Sequence, residues 1–227
     1  MCSSDLERRG IDGGKEPVYL TQDEIRRFFA AIDTSTLIGK RDYALFLTLL
    51  STARRKTEIA SLMWGDLSYG TVTDERGNHP GWIYRFKGKG RETWDEAELP
   101  EVARLAIWDY LNVSCRMATI EPDDYIFKGI GPEHGGSPRD PYARISDASI
   151  QRSVKRYATR AGIEPTRVTV HAFRHTSAKH RLDLGQDIFS INKLLRHKSI
   201  DMTFRYVQSM RVSGDPEAQR LMEHFGL

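Results

Sequence analysis

Residues 41–53 read RDYALFLTLLSTA, a run too apolar all round to be a simple surface helix. An amphipathic helix needs one covered face, whereas this one needs apolar partners on most of its sides. The rest of the chain has to supply them. With 227 residues it can bury a sizeable core, in one large domain or two small ones.

The neighbouring segments carry helical periodicity. In LTQDEIRRFFAAI, Thr21 and Glu24 have capping-box spacing, and Ile25, Phe28, Phe29 and Ile32 recur on one face. KTEIASLMW and EVARLAIWDYL read as helices. SDASIQRSVKRYATRAG turns Ile150, Val154, Tyr157 and Ala161 inward and stops at Gly162. A helix begins near His171 and ends at Gly185; Asp187 can cap IFSINKLLR, and Ser199 can cap a helix carrying Tyr206. DPEAQRLMEHF, with Pro216 at a favoured first position, is the last. The pattern changes only after Gly70. GWIYRF is strand-like, KGKGRET is a turn rich in Gly and Lys, and AEL before Pro100 can be the return strand. Residues 114–145 are irregular. The expectation is a mainly α fold with a small antiparallel β-sheet (α+β), with residues 1–16 a tail or linker remnant, 17–212 the main domain and 213–227 a C-terminal helix.

Charge is unevenly placed. From Arg144 to Arg211 there are 14 Lys/Arg against 5 Asp/Glu, although the whole chain is only +3. Such a basic stretch suits a polyanion, nucleic acid first, and is also compatible with a solvated helical surface. No apolar run approaches the roughly 20 residues needed to cross a bilayer, and the start lacks the apolar core of a secretory signal. Cys2 and Cys115 make neither a disulfide framework nor a zinc pair. A reducing cytoplasm follows as the expected compartment.

The basic stretch contains HAFRH, residues 171–175. His171 and His175 lie four apart on one predicted helix face, but the zinc-protease pattern needs Glu where Ala172 stands. GKGRET likewise lacks the spacing and the Lys-Ser/Thr pair of a nucleotide-cradling loop. An anion clamp requires further cations. Arg55 lies at a predicted helix start, where backbone N–H groups favour anions, and Lys89 lies at an exposed hairpin tip. Together with Arg174 they can surround one phosphate.

In this order and spacing the residues resemble the catalytic domain of the tyrosine recombinase (phage integrase) family, from about Pro17 to Met210. The family's TGLR-x-x-E-L helix start is matched by TARRKTEI, giving Arg55. Its GKG lysine is matched by Lys89, H-x-L-R-H by residues 171–175, and LLGH…T-x-x-Y by LLRHKSIDMTFRY, giving His197, Thr203 and Tyr206. The resemblance implies that Tyr206 attacks a DNA phosphodiester, forming a 3′-phosphotyrosyl link and releasing a 5′-hydroxyl. Arg55 and Arg174 then hold the phosphate in their planar forks. Lys89 is implied as the acid for the departing oxygen, with His171 and His197 hydrogen-bonding the phosphate. His175 is structural support, and Glu58 orients a basic partner. No metal and no cofactor is implied; the partners are double-stranded DNA and, by family analogy, a tetramer of the chain. Type IB topoisomerase chemistry, or a non-cleaving DNA-binding regulator of the same fold, are the alternatives.

The chain departs from the pattern at three places. Ala53 and Arg54 replace the glycine and leucine before the first arginine, and the three-residue gap to Glu58 selects Arg55 over Arg54. Lys87 competes with Lys89 in a hairpin whose register the sequence leaves open. Arg196 stands where the family has glycine before His197, able to add a phosphate contact or to crowd the site. Family members usually carry an N-terminal DNA-binding domain, so the roughly 16 residues ahead of the catalytic domain fit either a fragment or a minimal member. The last helix, with Leu221, Met222 and Phe225 on one side, resembles the segment that members lend to a neighbouring subunit, or packs on its own core.

Overall fold

The computed structural model describes residues 18–74, 77–88, 92–131, 140, 142–196 and 203. The segments expected as an N-terminal tail and as the final helix lie outside them. The first helix, α1 (Gln22–Ala30), starts at the capping box read from the sequence. The Thr21 hydroxyl accepts from the Glu24 N–H at 3.2 Å, and the Glu24 carboxylate accepts from the Thr21 N–H at 2.8 Å. The apolar run forms most of α2 (Leu37–Thr52), which begins earlier than its composition suggests because the Thr36 hydroxyl accepts from the Gly39 N–H and starts the helix there.

Among the described residues the further helices and turns are α3 (Lys56–Ala60), a single 3-10 turn (Trp64–Asp66), α4 (Glu101–Val113), α5 (Asp147–Arg160), α6 (Val170–Asp183) and α7 (Ile188–Leu195), with α3, α4 and α6 packed on α2. The helix expected through Trp64 is therefore broken into two short pieces. Phe46 on α2 stacks on Phe173 of α6, with ring centroids 5.4 Å apart and planes 14° from parallel. Phe28 of α1 meets both rings edge-on, at 5.4 and 5.0 Å, and Tyr157 of α5 closes the group. Four helices thus converge on one aromatic knot, and the polar end of α6 that follows Phe173 is placed by it.

One carboxylate is buried beside this knot. Asp42, with no exposed surface, accepts from Tyr157 Oη at 2.9 Å, Ser153 Oγ at 3.0 Å, Arg156 at 3.1 Å and Arg41 at 2.6 Å. Burial, then the Asp42 charge, pushes the Tyr157 phenol up to about 12.

The sheet is larger than the sequence shows. Strands β1 (Leu67–Asp74), β2 (Gly77–Lys87) and β3 (Trp94–Glu98) pair antiparallel in that order. β1 was not foreseen: most of its side chains are exposed, so no apolar alternation marks it. Along β2, Tyr84 and Phe86 are buried while Arg85 and Lys87 are exposed. Lys87 pairs with Trp94 in the β2–β3 ladder, which fixes the register and leaves 88–93 as the connection containing Lys89.

Candidate active site

The first contributor to the site is the end of α2. Ala53 closes that helix in the left-handed region, at φ 54°, and its carbonyl oxygen accepts from Arg174 of α6 at 2.6 Å. The reversal of direction at Ala53 separates the two arginines that follow. Arg54 is buried, donating to Tyr84 Oη at 2.9 Å and to the Leu194 carbonyl at 3.2 Å, with its guanidinium 4.2 Å from the centre of the Phe86 ring. Burial pushes the Tyr84 phenol up, although the Arg54 charge pulls the other way. Arg54 is therefore a structural cation.

Arg55 emerges from the fold. Its side chain is 39% exposed against 3% for Glu58, whose carboxylate accepts from the Arg55 backbone N–H at 3.0 Å and from its guanidinium at 3.2 Å. Glu58 does orient a basic partner, and that partner is Arg55. At the helix start, one of the backbone N–H groups that its position suggested for an anion is in use. The N–H of Arg55 is already taken by Glu58, and α3 is only five residues long.

α6 presents His171, Arg174 and His175. Arg174 is buried; besides Ala53 it donates to the Leu195 carbonyl at the end of α7. The His171 imidazole is held below its ordinary value, first by partial removal from water and then by the charges of Lys56, Arg174 and Arg55. These charges come from two distant parts of the chain, which Arg174 joins through its bond to the Ala53 carbonyl. Lys56 is the member sequence reasoning missed, although the run Arg54-Arg55-Lys56 was there to be read. It also forms an ion pair with Asp147 at 2.7 Å, and Arg144 holds the same carboxylate at 3.0 Å. Burial raises the Asp147 carboxyl, but its bonds to Lys56 and Arg144 outweigh this and leave it below the usual range.

Lys89, His197 and Tyr206 lie outside the described residues. Thr203, three positions before Tyr206, is buried and donates to Asn192 of α7 at 2.9 Å. Arg196 is described, and its side chain is largely covered rather than extended into solvent. It pairs with Asp95 of β3 and lies 5.3 Å over the Phe86 ring.

Among the described residues only Asp74, His79 and Glu98 bring metal-type donor atoms together, all within 4.8 Å of one another. They sit on the sheet, both carboxylates are exposed, and the 3.3 Å contact of His79 with Asp74 is that of an ordinary pair. The chemistry available at the α2–α6 junction is different. Fixed cations can bind an anion and stabilise charge that develops on it, and a neutral imidazole can exchange a proton.

His175 differs from His171. Burial, then the nearby His171 and Arg174, depress it to about 4, so the ring is neutral at pH 7. A depressed histidine contributes stability that is present above its unfolded value of ~6.5 and is lost as pH falls toward 4. Urea unfolding of the full chain should therefore lose on the order of 2–3 kcal/mol between pH 7 and pH 4 through this group. His175→Gln should flatten that part of the profile; an identical slope in the variant would remove His175 as its cause.

A family model described as the phage integrase family matches residues 18–211. Tyrosine recombinase XerD of Listeria monocytogenes serotype 4b (strain F2365) is 30% identical over 204 residues, covering 86% of this chain and 60% of that protein. Tyrosine recombinase XerC of Corynebacterium efficiens (strain DSM 44549 / YS-314 / AJ 12310 / JCM 11189 / NBRC 100395) is 31% identical, covering 86% and 53%. The chain thus spans little more than half the length of these curated relatives. Among solved structures, XerA recombinase superposes with a TM-score of 0.61 at 25% identity, covering 92% of this chain and 65% of that one. XerH site-specific recombinase, bound to a palindromic difH substrate after cleavage, gives 0.66 at 20% identity, covering 98% and 57%; at that identity the likeness speaks for the fold.

Proposed function

The chain belongs to the phage integrase family, and on that footing we propose that it is a site-specific DNA recombinase. In this reading it cleaves and rejoins DNA strands through a 3′-phosphotyrosyl intermediate with Tyr206 as nucleophile. The observation that carries the reading is that Arg174 of α6 is bonded to Ala53, two residues before Arg55, so cations from two distant parts of the chain meet at the α2–α6 junction. A phosphodiester under attack gains charge on its non-bridging oxygens, and this cluster offers fixed cations to receive it. A free phenol has a pKa near 10, so Tyr206 needs such neighbours to ionise. Thr203, held against α7, brings the chain to within three residues of Tyr206 there. Lys89 is the proton donor to the 5′-oxygen, and His171 and His197 hydrogen-bond the phosphate. Double-stranded DNA is the substrate, and four copies of the chain assemble on two sites.

Incubation with a randomised pool of nicked duplexes, followed by a denaturing gel, tests this. The expected result is a covalent protein–DNA adduct that Tyr206→Phe abolishes and Arg55→Ala slows by ~10²–10³. An adduct at the wild-type level in the Phe variant would eliminate Tyr206. Duplex binding with no adduct at all would make the chain a non-cleaving DNA-binding protein. No described helix is long and apolar enough to cross a membrane.

A further inference from the structure

Arg196 occupies an unusual place. It closes α7 in the left-handed region, at φ 52°, a conformation that glycine adopts without steric cost and other residues do not. An arginine kept there needs a reason connected with its side chain. That side chain is 12% exposed, too covered for a solvated surface cation. It crosses from the end of α7 to the sheet, where it pairs with Asp95 and covers the face of Phe86. Phe86 and Asp95 are directly opposite one another in the β2–β3 ladder, so Arg196 grips both strands at one cross-strand pair.

The junction has a second cation. Arg54 lies over the same Phe86 ring and donates to the Leu194 carbonyl, two residues before Arg196. The α7 end is therefore joined to the hairpin twice: by Arg54 acting on the backbone, and by Arg196 acting through its charge. Only the second link depends on an ion pair, and Asp95 is only 33% exposed in it. Asp95 was not foreseen as a partner here, whereas Arg196 was read as able to add a phosphate contact or to crowd the site.

We propose that Arg196 and Asp95 form a tether that docks the β2–β3 hairpin onto the end of α7, making Arg196 a positioning residue. The strands gripped by the tether lead into the connection that contains Lys89, and α7 leads directly into His197. On the function proposed above, from which this inference takes its catalytic consequence, the tether sets the strands that flank Lys89 against the helix that precedes His197. Arg196 acts through these residues, not on the DNA.

The test uses the full chain and three variants: Arg196→Gly, which suits the backbone angle, Asp95→Asn, which is nearly isosteric, and their combination. Two readouts are needed. The first is amide hydrogen exchange across residues 92–98 without DNA. The second is single-turnover cleavage of a nicked site beside the affinity for the same duplex. Each single variant should speed exchange in β3 and lower the cleavage rate about tenfold, with affinity within about twofold. The double variant should be no worse than either single one, because both remove one interaction. Arg196→Lys, which can still reach a carboxylate, should recover part of the rate.

Unchanged exchange in both single variants would overturn the tether. So would losses that multiply in the double variant, or a silent Asp95→Asn beside a crippled Arg196→Gly, since Arg196 would then act alone. If Tyr206→Phe still formed adduct, the functional reading would fall while hydrogen exchange continued to decide the tether.

Discussion

Arg174→Lys is expected to slow strand cleavage by ~10²–10³ while leaving the chain folded. Lysine keeps the positive charge, so a purely electrostatic role would tolerate it. The geometry says otherwise. The Arg174 guanidinium donates at once to the carbonyl of Ala53, where α2 ends, and to that of Leu195, where α7 ends. A planar fork can do this with its nitrogens fixed in one plane, and a single ammonium on a flexible stem cannot reproduce it. Losing these charge-assisted bonds should also cost about 1.5–3 kcal/mol of stability. Cleavage kinetics and urea unfolding of the same preparation measure the two effects. A variant that cleaves at the wild-type rate would remove Arg174 from the proposed chemistry.

The largest stability effect belongs to a residue far from catalysis. Asp42→Ala should destabilise the chain by about 3–5 kcal/mol, because it strands a buried arginine rather than deleting a pair. Arg41 is 5% exposed and donates twice to the Asp42 carboxylate, through Nε at 2.9 Å and a terminal nitrogen at 2.6 Å. The Tyr157 hydroxyl and Ser153 lose the same acceptor. For a chain of this length the melting temperature should fall by roughly 6–10 °C. Asp42→Asn keeps one acceptor oxygen and should lose less. It should also bring the Tyr157 phenol down from about 12, an effect visible in an ultraviolet titration. A loss below about 1 kcal/mol for Asp42→Ala would show that the group is compensated in a way its contacts do not suggest.

Much of this molecule was legible in its letters, and what was not has physical reasons. The capping box at Thr21, the stop at Gly162 and the Asp187 cap all appear where the sequence puts them, because each depends on residues within four positions. The inward face of α5 is likewise as read, with Ile150, Val154 and Tyr157 buried. β1 was hidden because its side chains are mostly exposed and Gly70 interrupts its middle. The assignment of Arg55 rested on its distance from Glu58, and the two are indeed paired. What the letters could not show is why Arg54 differs from it: that follows from the left-handed turn at Ala53. Asp42 and Asp95 escaped notice for a related reason, since partners such as Tyr157 and Arg196 lie on other elements and a lone acidic residue carries no sign of what will surround it.

The contact of Arg174 with Ala53 has a consequence for how the protein is made. It spans 121 residues of chain. At translation rates of about 5–20 residues per second, Arg174 is polymerised roughly 6–24 s after Ala53. A nascent chain that has emerged through α5 carries Arg55 and Lys56 but not the arginine and histidine that complete the cationic cluster. Any capacity to cut DNA therefore arrives late, after the supporting core has had time to assemble on the ribosome.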